Sequence, residues 1–275
     1  MNIIDYMIEE DIGFCDITTD SLIDDDIVVN GQIISKEEGI LSGLRIVEYI
    51  FNKYKISFEL FKKEGEKLQK GDIVLKFKGN GREILKIERT LLNLLMRMCG
   101  IASKTKQLSD KVKTVNSKVK IAGTRKTFPS LAKFDKQAIV TGGGDSHRFR
   151  LDDLVLIKDN HIAIIGSISK AIILAKEKVS FSKKIEVEVE DIDNLIVAVQ
   201  NGADIVMLDN FSPDLVEKAI LTLNKLNIRN KVLLEVSGGI TEENILDYAF
   251  FDIDIISLGS LTHSVKSLDL SLEIF

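Results

Sequence analysis

The 275-residue sequence contains no tryptophan, two cysteines, two prolines and three histidines. Two cysteines, Cys15 and Cys99, are too few for a disulfide framework, and the absence of CxxC or Cys/His clusters excludes a zinc finger. Both are expected to be free thiols in a reducing, cytoplasmic setting. No apolar run reaches the roughly 18 residues a membrane span needs. The opening segment MNIIDYMIEEDIGF is acidic and lacks a basic n-region, so it is not read as a signal peptide. Basic residues are not in excess either: 37 Lys and Arg stand against 42 Asp and Glu, a formal charge of −5. That balance argues against a general nucleic-acid binder, whose affinity would rest on many phosphate contacts, but leaves room for a local basic pocket. Because His and Pro are scarce, their positions are informative. Pro129, His147, His161, Pro213 and His263 all lie in the second half, close to glycines or charged clusters.

The remaining composition, 45% hydrophobic and 29% charged, is that of a globular protein of one large or two modest domains. The first hundred residues show mixed patterning. Residues 28–42 are β-prone, 43–53 are helical, and 63–79 read as strand, turn, strand. A helix is expected from Glu83 to about Met98, interrupted at Gly100 and followed by a second helical stretch to about Val115. After residue 118 short apolar runs alternate with helical segments. The strand candidates are 119–123, 154–158, 185–189, 205–209, 232–237 and 255–259, with helices at 168–178, 191–201, 213–224 and 241–250. This is the pattern of βα units around a parallel sheet. Periodicity leaves open whether the sheet is a barrel or doubly wound. Each strand, however, ends in polar or glycine residues (GTRK, KDNH, EVE, LDN, SGG, LGS), which favours a β/α barrel with its site on the strand-end loops.

The strand ends carry the candidate chemistry. Arg125 and Lys126 are adjacent cations suited to an anion, and the triple glycine 142–144 is followed closely by His147 and Arg148. Lys158 ends the next strand. Arg matches a carboxylate in bidentate fashion, whereas Lys acts as a point charge. His161 is read as structural. Glu186, Glu188 and Glu190 share one strand face, with Glu188 or Glu190 favoured for function. With Asp209 on the following strand, they suit magnesium-assisted phosphate or ribose recognition. Ser237, Gly238, Gly239, Gly259 and Ser260 precede helical segments, where small residues let backbone N–H groups face a phosphate. The sum is a barrel enzyme with one phosphate site and a second, carboxylate-binding pocket.

At this point the chain resembles the quinolinate phosphoribosyltransferase family, almost end to end. The resemblance rests on EEDIGFCDITTDSL (9–22), ERTLLNLLMRMCGIAS (88–103), GTRKTFP (123–129), GGGDSHRFRLDD (142–153), LIKDNHI (156–162), VEVE (187–190), ADIVMLDN (203–210), LLEVSGGIT (233–241) and ISLGSLTHS (256–264). It implies an α/β fold made of an N-terminal α/β sandwich, residues 1–105 joined by the tail at about 265–275, and an incomplete barrel over 106–264. It implies transfer of phosphoribosyl from phosphoribosyl pyrophosphate to quinolinate with decarboxylation and with magnesium as cofactor, giving nicotinate mononucleotide, pyrophosphate and CO2 in NAD biosynthesis. Motif by motif, Arg125, His147, Arg148 and Lys158 would hold quinolinate, and Arg89 would reach that pocket from the partner of a homodimer. Lys126, Glu188 and Asp209 would act on the phosphoribosyl substrate, Glu188 and Asp209 also through the metal. Ser237, Gly238, Gly239, Gly259 and Ser260, with His263 nearby, would hold its 5-phosphate. The chain departs from the family's frequent RKTTPGLR at RKTFPSLA, with Ser130 and Ala132 in place of Gly and Arg. RKTFP leans toward a ModD-type relative linked to molybdenum transport; KDNH, SGGIT and LTHS lean toward the quinolinate enzymes. A phosphate-ligand binding barrel without turnover is the non-enzymatic alternative.

Overall fold

The computed structural model describes residues 2–275; Met1, at the start of the expected first domain, lies outside the described residues. The chain forms two compact units. One holds the chain up to Lys106 together with residues 128–143 and 264–275; the other holds residues 107–127 and 144–263.

In chain order the first unit begins with α1 (Ile3–Ile12), α2 (Ile17–Leu22), β1 (Val28–Ser35), β2 (Gly39–Ile40), α3 (Leu44–Lys53), β3 (Ser57–Leu60), β4 (Lys67–Leu68), β5 (Ile73–Asn80) and α4 (Gly81–Lys113). The apolar spacing of α3 buries Leu44, Val47, Ile50 and Phe51 along one face. Phe51 meets the rings of Phe58 on β3 and Phe77 on β5 edge to face, at 5.6 and 5.7 Å between centroids. Gly31 on β1 is opposite Phe77, and a Cβ there would collide with that ring. The sequence pattern does not mark α1, α2 or β3. β3 is a short strand with three of its four residues exposed, so it lacks an apolar alternation to read.

Gly100 does not break the long helix. α4 runs uninterrupted past it, because a Cβ at Gly100 would collide with the Lys266 carbonyl; the glycine admits the returning tail rather than ending the helix.

The second unit carries the parallel strands β6 (Lys120–Gly123), β7 (Val155–Ile157), β8 (Ile185–Val189), β9 (Ile205–Asp209), β10 (Leu233–Ser237) and β11 (Ile255–Leu258). The helix α5 (Ala132–Thr141) follows β6 in sequence but belongs to the first unit. Residues 128–143 therefore differ from the expected boundaries, which give them to the barrel. The reason is packing. Asp135 is fully buried and takes both guanidinium nitrogens of Arg97 at 2.8 Å, and Gly142 lies against the backbone of Ala102. The remaining helices are α6 (Asp159–Ile165), α7 (Ile168–Lys178), α8 (Ile192–Gln200), α9 (Pro213–Lys225), α10 (Ile245–Ala249) and α11 (Ser260–His263), and the chain ends in β12 (Leu270–Ile274). β12 pairs antiparallel with β1, so the first unit's sheet runs β12-β1-β5-β3.

The parallel sheet has the order β6-β11-β10-β9-β8-β7. Its first strand lies beside its last, as in a barrel. β6 and β7, consecutive in the chain, occupy the two free edges, so the barrel is open between them. Beside β6 that gap is partly filled by Asp145, which bridges Ala122: its N–H donates to the Ile121 carbonyl at 2.7 Å and its carbonyl accepts from Gly123 at 3.0 Å. Val187, Val206, Leu208, Leu234, Val236 and Ile256 alternate along the strands and are fully buried. Pairing of Ser237 with Asp209 and Ser257, of Leu258 with Gly123 and of Glu188 with Met207 brings the carboxyl ends of the strands to one rim.

Candidate active site

A cavity of about 350 Å³ opens at that rim, within the second unit. Eight of the expected residues line it. Arg125 and Lys126 come from the end of β6, His147 and Arg148 from the turn after the glycines, and Lys158 from the end of β7. Glu188, Asp209 and Ser237 end β8, β9 and β10. The open gap between β6 and β7 matters here, since the segment carrying His147 and Arg148 enters the barrel beside β6.

One of the cations is held by an acid of the same rim. Lys158 Nζ sits 2.5 Å from Glu188 Oε1. Arg148 is almost fully buried. Burial and the neighbouring Arg125 charge lower its pKa, and Glu186 and Glu188 oppose them. A buried guanidinium beside a second guanidinium is a prepared anion site: the charges that disfavour each other without ligand favour a carboxylate between them. The Lys126 N–H donates to Thr124 Oγ1 at 3.1 Å, and its carbonyl accepts from Thr262 Oγ1 at 2.8 Å, which ties the cationic loop to the turn after β11.

The glycine turns are closely packed. Gly238 has φ +88° and a Cβ there would collide with the Asn210 side chain; Gly239 has φ +63°. A Cβ at Gly259 would come within 3.0 Å of Lys126 Cδ and 3.1 Å of His263 Cδ2, so Lys126, Gly259 and His263 are neighbours. Ser260 begins α11 and is exposed. Arg89 belongs to the first unit, exposed on α4 with its guanidinium 3.8 Å from Glu88. His161 is structural, its Nδ1 accepting the Lys158 N–H at the start of α6 at 3.0 Å. Glu190 lies beyond the end of β8 and is exposed. With Asp159, Asp191, Glu188 and Asp209 it borders a second, acidic cavity of about 250 Å³.

Sequence reasoning passed over Glu186 in favour of Glu188 or Glu190, and it missed Glu235. Glu186 and Glu235 are fully buried inside the barrel, next to His147. Burial works against a charged His147 and the two carboxylates favour it, while burial raises Glu186, so the cluster holds a proton more tightly than its separate groups would. The signal was present in the alternation. Glu186 shares parity with Glu188, and Glu235 with Ser237, so each has the strand face of a rim residue.

Comparison with known proteins matches this geometry to one lineage. The model of the quinolinate phosphoribosyl transferase C-terminal domain matches residues 101–273, and that of the N-terminal domain residues 16–99. The chain belongs to the quinolinate phosphoribosyltransferase family. It is 49% identical to the "Probable nicotinate-nucleotide pyrophosphorylase" (carboxylating) of Methanocaldococcus jannaschii, over 100% of this chain and 96% of that protein. It is 46% identical to the protein of the same name from Methanothermobacter thermautotrophicus, over 100% and 98%. The crystal structure of the nicotinate-nucleotide pyrophosphorylase from Ehrlichia chaffeensis superposes with a TM-score of 0.92 at 36% identity, covering 99% of this chain and 97% of that one. The α/β sandwich and incomplete barrel are the fold the resemblance implies, and the barrel is also the one the strand pattern favours.

Proposed function

We propose that the chain transfers phosphoribosyl from phosphoribosyl pyrophosphate to quinolinate and releases pyrophosphate and CO2, leaving nicotinate mononucleotide. The observation that carries this reading is the rim cavity of about 350 Å³, which Arg125, Arg148 and Lys158 line together with Glu188 and Asp209. It suits a small dicarboxylate beside a sugar phosphate. The names of the relatives support the same reaction.

Arg125, Arg148 and Lys158 supply the charge that binds and orients the two carboxylates of quinolinate, and His147 borders the same cavity. The ring nitrogen attacks the anomeric carbon as the bond to pyrophosphate breaks, with oxocarbenium character at the sugar. Glu188 and Asp209, at adjacent strand ends, orient the ribose hydroxyls and favour that positive charge. Lys126 faces the pyrophosphate, and the turns at Ser237–Gly239 and Gly259–Ser260 receive the 5-phosphate, with His263 beside them. The ribosylated ring nitrogen is then cationic. The C–C bond pair stays on the ring carbon as the adjacent carboxylate leaves as CO2, stabilised as an ylide by the neighbouring positive nitrogen, and a proton then adds to that carbon.

Magnesium is part of this proposal. Glu188 and Asp209 offer hard carboxylate oxygens to two adjoining cavities, which fits that ion. When bound, it supplies charge neutralisation to the leaving pyrophosphate. A homodimer in which Arg89 enters the partner's cavity is also proposed, supported by the exposure of Arg89 and its long 3.8 Å approach to Glu88. No helix among the described residues is long and apolar enough to cross a membrane. A cytoplasmic location is proposed from the free thiols, Cys15 exposed and Cys99 buried.

The test is product formation by the purified chain with both substrates and magnesium. Nicotinate mononucleotide and CO2 in equal amounts are expected, with no turnover of nicotinate in place of quinolinate. No product under those conditions overturns the reading.

A further inference from the structure

The reaction above makes no use of Glu235, which lines the cavity, or of Glu186, buried in the barrel interior. Glu186 on β8 and Glu235 on β10 are fully buried, and three of their four carboxylate oxygens have no hydrogen-bond partner among the described residues. The fourth, Glu235 Oε2, lies 3.2 Å from His147 Nε2 in hydrogen-bond geometry, and Glu186 Oε2 lies 3.3 Å from the same nitrogen. On the other side of the ring, Nδ1 accepts the backbone N–H of Arg148 at 2.8 Å. The His147 N–H in turn donates to Asp145 Oδ1 at 2.8 Å. His147 itself has φ +51°, a conformation that residues with a side chain rarely adopt. Such a turn persists only where its surroundings hold it.

We propose that Glu235 and Glu186 are positioning residues for the quinolinate pocket: they hold the His147 ring by Nε2, the ring accepts the Arg148 N–H on Nδ1, and the strained turn is thereby fixed with Arg148 in the cavity. The inference rests on the assignment of that cavity to quinolinate.

The hydrogen bonds decide the ring's form. Nδ1 can accept the Arg148 N–H only with a lone pair, so the single ring proton sits on Nε2, facing the carboxylates. A second proton would put two donors face to face at 2.8 Å, so any further proton of the cluster belongs with the acids. The same reasoning argues against a metal ion among His147, Glu186 and Glu235, close as their ligand atoms are. Coordination through Nε2 would move the ring proton to Nδ1 and oppose it to the Arg148 N–H. Other charges near the ring are Arg148 with Arg125 beside it, and Asp145, 3.9 Å from Lys120.

The chain has three histidines, so nitrogen NMR of the full-length protein labelled at histidine resolves His147 directly. The wild type is expected to show His147 protonated at Nε2 and unprotonated at Nδ1. Glu235→Leu removes the acceptor. It should mix the tautomers and raise the quinolinate KM roughly ten- to a hundredfold, the range for losing one hydrogen bond to a charged group, with kcat and the KM for phosphoribosyl pyrophosphate held within about twofold. Glu235→Gln keeps an acceptor oxygen and should restore both the tautomer and most of the KM. Wild-type His147 protonated at Nδ1 overturns the proposal. So does a folded Glu235→Leu variant with wild-type tautomer and KM, or a Glu235→Gln variant as impaired as Glu235→Leu. If the wild type makes no product from quinolinate, the functional assignment fails, while the NMR comparison still decides whether Glu235 orients the ring.

Discussion

Replacing Arg125 with alanine separates binding from folding at this site. Arg125 is an exposed residue at the end of β6, whereas Arg148 beside it is almost fully buried and carries the cost of the shared positive charge. Removing Arg125 takes away one charged partner of a substrate carboxylate. Hydrogen bonds to charged groups contribute roughly 1.5–3 kcal/mol. At about 1.4 kcal/mol per decade, the quinolinate KM should rise about 10- to 150-fold. Stability should move the other way. Relief of the like charge beside Arg148 is worth only tenths of a kcal/mol at an exposed position, so Tm should stay level or rise by about 1 °C. The assay varies quinolinate at saturating phosphoribosyl pyrophosphate and magnesium, follows nicotinate mononucleotide, and records thermal melting of the same preparation. A quinolinate KM within twofold of wild type refutes the placement of Arg125 on the substrate. A Tm lowered by more than about 3 °C refutes the claim that Arg125 is spent on binding rather than on folding.

Gly238→Ala forces a side chain onto φ +88° and into Asn210; the KM for phosphoribosyl pyrophosphate should rise at least about tenfold with that for quinolinate little changed, since the strain falls on the turn assigned to the 5-phosphate. Arg97→Met leaves Asp135 charged, fully buried and without its bidentate partner. It should cost about 3 kcal/mol and lower Tm by roughly 6–12 °C in a melting experiment. The His147 cluster sets a pH dependence. Its folded-state proton affinity is raised: burial lifts Glu186 above the ordinary carboxylate value, and the two acids favour a proton in the cluster. That contribution to stability is therefore complete below the unfolded carboxylate value, about pH 4.5, and lost as pH rises above it. Tm should fall across that window, and the fall should shrink in a Glu186→Gln, Glu235→Gln double variant.

The barrel was legible because its strands are short apolar runs set between helical segments, and each ends in polar or glycine residues. The run IEVEV predicts strand 185–189, and the structure has β8 at those residues. Helix 168–178 likewise coincides with α7, whose Ser167 caps it by accepting the Lys170 N–H. What failed were local rules overridden from elsewhere in the chain. Gly100 reads as a helix stop, yet the tail residue Lys266, far away in sequence, needs the space it leaves. Residues 128–143 fall within the span 106–264 that the resemblance implies for the barrel, and no local feature reveals that Asp135 will meet Arg97. The proposed role of Arg89 rests on its motif alone, because nothing in its own helix distinguishes it from a solvated charge.

The site was legible in its rim and not in its interior, and the reason is an assumption about polarity. Alternating Glu and Val normally signals a strand with one face in water and one in the core, which makes Glu186 a surface residue. In an open barrel both faces of the strand are enclosed. Val187 packs on the outside of the sheet, and Glu186 is on the inside, where water would be expected least. The sequence cost of placing two carboxylates there is high, since an unpaired buried charge is strongly unfavourable; His147 lies within 3.3 Å of both, and the Arg148 charge acts on Glu186. A buried acid pair facing the turn that carries the Arg148 guanidinium is hard to account for by folding alone; apolar residues of the same volume would pack at lower cost. The interior of this barrel is therefore best understood as an extension of the binding site downward, with Glu186 and Glu235 holding from below the side chains that meet the substrate from above.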